Sequence, residues 1–128
     1  LKHKTLPVYD LIVQSWWMET LIYSDHFFDL TASVRFDCTD QEMAMAFRQL
    51  RMIRDSFRAC DYPPSAAAAR QHLLNGMTQT LLGFREFLSG NEAAAHFSLR
   101  SAEAELELLD AALDRLATPL WQTGQRIL

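Results

Sequence analysis

The sequence predicts an all-α protein: an antiparallel up-down-up-down four-helix bundle with a short C-terminal tail. Three observations predict it. Apolar residues recur at alternating spacings of three and four in four separate stretches, the period of helices packed side by side. Short connections marked by capping residues or prolines join these stretches, which makes neighbours in sequence antiparallel neighbours in space. No stretch alternates apolar and polar residues in the period-two pattern of a strand. The 128 residues read as one domain, long enough to bury a single core.

The first helix is expected over 7–34, with Pro7 in the first turn, where its missing N–H costs nothing. Its inner seam is Tyr9, Val13, Trp16, Thr20, Tyr23, Phe27, Leu30 and Val34. The second is expected over 40–60. It opens on Thr39-Asp40-Gln41-Glu42, a capping box in which the Thr hydroxyl and the Glu carboxylate each satisfy an otherwise orphaned amide. Its seam is Met43, Ala46, Leu50, Ile53, Phe57 and Cys60. Asp61-Tyr62-Pro63-Pro64 breaks the chain, because proline removes a donor and disfavours helix in the residue before it. The third helix is expected over 64–89, with the seam Ala67, Arg70, Leu74, Met77, Leu81, Phe84 and Leu88 and a stop at Gly90. Asn91 caps the fourth, expected over 92–117 with the seam Ala95, Leu99, Ala102, Leu106, Leu109, Leu113 and Leu116. Thr118-Pro119 is expected to end or kink it, leaving 119–128, with Trp121, as a separate tail.

Charge and composition bound the function. The formal net charge is -4, which argues against bulk nucleic-acid binding, a role that shows as a basic footprint. No run approaches the ~20 apolar residues of a membrane span. Asp10, Glu19 and Asp25 interrupt the one candidate. Cys38 and Cys60 flank the second helix, and 22 residues of helix span about 33 Å, far beyond disulfide reach. Two unpaired thiols lean towards a reducing, cytoplasmic setting. The chain opens on Leu1 and not on Met, so a preceding segment is expected to have been removed or left out.

The first helix carries more apolar residues than one seam uses: Leu11, Met18, Leu21, Ile22 and Phe28 lie outside it, with Ile12 and Trp17 on its flanks. Such a surplus is either covered by the tail around Trp121 or is a contact surface for a second copy or another helical protein, since contiguous apolar patches mark interaction sites. Gly76 and Gly83, seven residues apart, form a candidate close-packing stripe on the third helix, the alternative being outward positions where side chains do not matter. Arg48, Arg51, Arg54 and Arg58 line one side of the second helix. Such a run is ordinarily a solvated face; its functional alternative is a site for an anion or an acidic partner, and the acidic fourth helix makes a self-contact one option. Arg70, the charge on an inner seam, is expected to meet Asp110 or Asp114 of the fourth helix. Met18, Met43, Met45, Met52 and Met77 are read as core filling.

Catalytic and metal signatures are missing from the sequence. There is no Glu-x-x-His of the di-iron bundles, no Cys-x-x-Cys, no Gly-x-Ser-x-Gly and no phosphate-cradling loop. Glu92 and His96 share a helix face alone, and His72 is placed outward with Gln79 and Glu86. The expectation is therefore a protein without cofactor or catalytic centre: an interaction or assembly module, self-associating or docking a partner through helix one. The alternative is a bundle that holds a small hydrophobic ligand between its helices, lined by Trp16, Tyr23, Phe27 and Phe84.

Overall fold

A computed structural model describes residues 11–34 and 38–127, with side chains as far as residue 116. Four helices follow one another: α1 Leu11–Ser33, α2 Asp40–Ala59, α3 Ala67–Leu88 and α4 Glu92–Ile127. A single 3₁₀ turn, Pro64–Ala66, leads into α3, and the described residues contain no strand. The start expected at Pro7 and the seam residue Tyr9 lie outside the described residues.

Local chemistry sets the helix ends. Thr39 Oγ1 accepts from the Glu42 amide at 3.1 Å while Glu42 Oε1 accepts from the Thr39 amide at 3.2 Å, so the capping box closes α2 in both directions. Gly90 takes φ +80°, a left-handed conformation that a side chain disfavours. The turn there is a Schellman stop: the Gly90 amide donates to Phe87 O and the Asn91 amide to Glu86 O. Asn91 Oδ1 then accepts from the Ala94 amide, capping α4.

The far end of α4 corrects the sequence reading. Thr118-Pro119 does not end the helix, which runs on to Ile127, so 119–127 continues α4 rather than forming a separate piece. A proline inside a helix removes one donor, and flanking residues that favour helix, here Leu116-Ala117 and Leu120-Trp121, allow the remaining ladder to continue. The side chain of Trp121 lies outside the described residues.

One hydrophobic cluster joins all four helices, with Trp17, Phe27, Leu50, Phe57, Leu73 and Leu113 among its most deeply buried members. The seams of α2 and α4 fall where the spacing places them: Ala46, Leu50, Phe57, Ala95, Ala102, Leu109 and Leu113 are buried. On α1 the buried face is broader than its seam, because Trp17 and Ser24 are buried beside Val13, Trp16, Thr20 and Phe27. On α3 there are two buried stripes. Leu74, Met77, Leu81 and Phe84 form the expected one; Ala69, Leu73, Gly76, Thr80 and Gly83 form a second. That second stripe turns towards α4, and α3 and α4 make the most extensive helix pair.

Both glycines belong to that pair. A β-carbon at Gly76 would stand 3.1 Å from Leu106 Cδ2, and one at Gly83 would stand 2.9 Å from Leu99 Cδ2. The contact moves back along α4 as it moves forward along α3, so the two helices run in opposed directions there. The glycines leave room for the Leu106 and Leu99 side chains and let α3 approach the Ala102 and Ala95 carbonyls.

Arg70 differs from its expected pairing. Its Nη2 donates to Arg58 O at 2.9 Å and its guanidinium lies 4.3 Å from the centre of the Tyr62 ring. The cation therefore satisfies a carbonyl at the negative end of α2 and stacks on an aromatic face across the Pro63-Pro64 turn. It ties α2 to α3 rather than α3 to the acidic side of α4.

Candidate functional site

The surplus apolar residues of α1 divide into two groups. Leu11, Ile12, Met18 and Ile22 are between 60% and 73% exposed. Leu21 and Phe28 are half-buried and pack against the core cluster, so the open patch is narrower than the five residues read from the sequence. Trp17, placed on a flank by its spacing, is 1% exposed and belongs wholly to the core. The open residues occupy the first half of α1, where Glu19 is the one charged residue between 11 and 24. The whole of α1 contains no Lys or Arg.

Trp16, Phe27 and Phe84, read as lining for a hydrophobic ligand, are buried members of the core cluster, and Tyr23 packs against it with its ring 5.8 Å from that of Phe57. Cys60 Sγ is hydrogen-bonded with the Tyr23 hydroxyl at 3.4 Å and lies 3.3 Å from Ser56 O, linking α1 to the end of α2. The Tyr23 pKa is raised above its usual 10.0, first by the hydrogen bond in which its hydroxyl donates to the Cys60 sulfur and so keeps its proton, then by charge at Cys60, by burial and by Glu19. Cys38 and Cys60 form no disulfide with each other.

The methionines do not act together. Met77 is fully buried and Met43 packs against the core, whereas Met18, Met45 and Met52 are 49% to 68% exposed. Core filling therefore accounts for two of the five. Met52 lines a shallow groove with His26, Gln49 and Ile53 between α1 and α2.

The arginines of α2 separate in the same way. Arg48 and Arg58 lie at the surface, Arg58 in contact with Asp55 at 3.3 Å. Arg54 turns inward, its side chain 16% exposed, with Nε and Nη2 on Asp55 and Nη1 3.4 Å from Thr78 Oγ1 of α3. Arg51 reaches over the Phe47 ring at 5.9 Å. Arg51 and Arg54 then share one groove with Arg85, a residue of the last turn of α3 that the α2 pattern could not reveal. Phe47, Leu81 and Leu82 supply the apolar lining of this groove, whose volume is about 260 Å³.

His72 is also placed differently from the sequence reading. It is half-buried, as are Gln79 and Glu86, with Nδ1 2.9 Å from Glu105 Oε2 on α4. Asn75 Nδ2 donates to the same carboxylate oxygen at 3.4 Å. The second buried stripe of α3, in which Ala69, Gly76 and Gly83 join Leu73 and Thr80, turns position 72 towards α4. His96 is exposed and stands edge-on to Phe87, with ring centres 5.7 Å apart. Among the described residues, no three His, Cys, Asp or Glu side chains gather where a metal could be held. No described helix is long and apolar enough to cross a membrane.

Fold and surface together define an all-α four-helix protein with an exposed apolar face on its first helix. No protein-family model, curated protein or solved structure matches the chain.

Proposed function

We propose that this protein is a non-enzymatic helical interaction module that docks through the outer face of α1, and that the docked partner is a second copy of the chain. The observation that carries the reading is the cluster of four large apolar side chains, Leu11, Ile12, Met18 and Ile22, left open on one helix. Scattered exposed apolar residues need no explanation, but four within twelve residues of one helix are a patch, and patches of this kind mark contact sites.

The chemistry of the patch favours protein over membrane. An interfacial membrane helix carries Lys and Arg along its polar face, and α1 carries neither. Interface cores are depleted in charge and enriched in Met and aromatic residues. Here Glu19 is the one charge among residues 11–24, so two α1 faces brought together about a two-fold axis would bury little that is ionised.

Size-exclusion chromatography with light scattering across a concentration series tests the reading. The unmodified chain is expected to shift towards twice its 14.7 kDa mass as concentration rises, and Ile22→Glu to remain at the monomer mass. A constant monomer mass at millimolar concentration would remove self-association.

A further inference from the structure

The geometry points to a second binding site, independent of the α1 patch: the groove between α2 and α3 takes a small amphipathic organic anion, a carboxylate or phosphate head on an alkyl or aryl body. The wall of the groove is already fixed. Arg54 bonds to Asp55 on its own helix and reaches Thr78 on the next, so its guanidinium is committed and holds the two helices at a set spacing. Arg51 and Arg85 are different. Both line the groove, from opposite helices, and neither has a carboxylate partner among the described residues. Phe47 supports the Arg51 guanidinium from below at 5.9 Å.

Two unneutralised guanidinium groups facing one space form a clamp for an oxyanion, because each offers planar paired donors that match a carboxylate or phosphate edge. They stand over an apolar floor in which Leu81 is 4% exposed. A bare inorganic anion would leave that floor wet, and a neutral apolar molecule would leave the clamp unused. A volume of about 260 Å³ admits about nine groups the size of a water molecule, which suits a short acyl or single-ring ligand. The charge balance agrees: in a chain of net charge -4, the lining of this groove carries Arg51, Arg54 and Arg85 and no acidic residue.

Octanoate and octyl phosphate, kept below their micellar concentrations, are suitable probes, titrated into isotope-labelled protein and followed by NMR. Saturable shifts are expected at Thr78, Leu81, Leu82 and the Arg51 and Arg85 side chains, and the tighter of the two probes identifies the preferred head group. Arg51→Gln and Arg85→Gln should each weaken binding about tenfold. Arg48→Gln and Arg58→Gln remove the same charge outside the groove and should change it less than about twofold. All four positions are at the surface, and an unchanged circular dichroism spectrum shows that each variant is folded. Three results would overturn the proposal: octanol binding as tightly as octanoate, equal weakening by all four variants, or no saturation by either probe up to about 10 mM.

Discussion

Adding one methyl group at Gly83 should destabilise the protein even though it improves the helix. Alanine is preferred over glycine inside a helix by about 1 kcal/mol, so an open site would gain that amount. Gly83 is not open. Its β-carbon would stand 2.9 Å from Leu99 Cδ2, 3.0 Å from Leu99 Cγ and 3.4 Å from Ala95 O. Both the tip and the branch carbon of Leu99 are too close, so rotating the tip does not relieve the contact. Overpacking of this kind costs about 1–3 kcal/mol, which leaves Gly83→Ala destabilised by about 1 kcal/mol. Gly76 is the internal control. There the distances are 3.1 Å and 3.4 Å to Leu106 and 3.7 Å to Ala102 O, and a shift of a few tenths of an ångström in one methyl is enough. Gly76→Ala should come out within about 0.5 kcal/mol of the parent. Replacing Leu99 by Ala removes the obstacle, so in that background Gly83→Ala should stabilise, and the cycle should show a coupling of about 2 kcal/mol. Urea unfolding followed by circular dichroism measures all four corners, and a change of 1 kcal/mol corresponds to about 4 °C in Tm. If Gly83→Ala stabilises equally with and without Leu99, the close approach of α3 and α4 is wrong.

Other outcomes follow from single contacts. Thr39→Ala opens the capping box and should cost about 1 kcal/mol by the same unfolding assay. Ser24 is 1% exposed and its hydroxyl has no hydrogen-bond partner among the described residues, so Ser24→Ala should stabilise by about 1 kcal/mol. Arg70→Lys should lose about 1 kcal/mol, because an ammonium group does not reproduce both the stack on Tyr62 and the bond to Arg58 O. The raised pKa of Tyr23 has a definite sign: above pH 10 the unfolded chain loses this proton before the folded one does. Stability should therefore fall as pH climbs through and above that value, and Tyr23→Phe should flatten this part of the profile.

Elements whose limits depend on local chemistry were legible in the sequence. The capping box at Thr39, the Pro63-Pro64 break and the Gly90 stop each act within four residues, and α2 and α4 carry seams of one clear period. α3 was harder to read because three of its nine buried residues, Ala69, Gly76 and Gly83, leave little apolar signal; that hid its second stripe and the turn of His72 towards α4. α1 has apolar residues at adjacent positions, so spacing alone could not decide between Trp16 and Trp17, and both are buried. Pro119 was read by its local rule, which the surrounding helix-favouring residues override. Of the surfaces, the apolar surplus of α1 was visible in outline, although Leu21 and Phe28 turn into the core. The basic groove was half visible: Arg51 and Arg54 lie in the arginine run of α2, but Arg85 is 31 residues beyond Arg54 and joins them only through the packing of α2 on α3.

The contact between α1 helices can be observed directly by mixing isotope-labelled and unlabelled chains and recording filtered NOEs between copies. The methyl groups of Leu11, Ile12, Met18 and Ile22 should show cross-peaks to the same residues of the second copy, and these should vanish in Ile22→Glu. Cross-peaks confined to other faces, or none at concentrations where light scattering reports a dimer, would contradict the assignment of α1 as the docking surface.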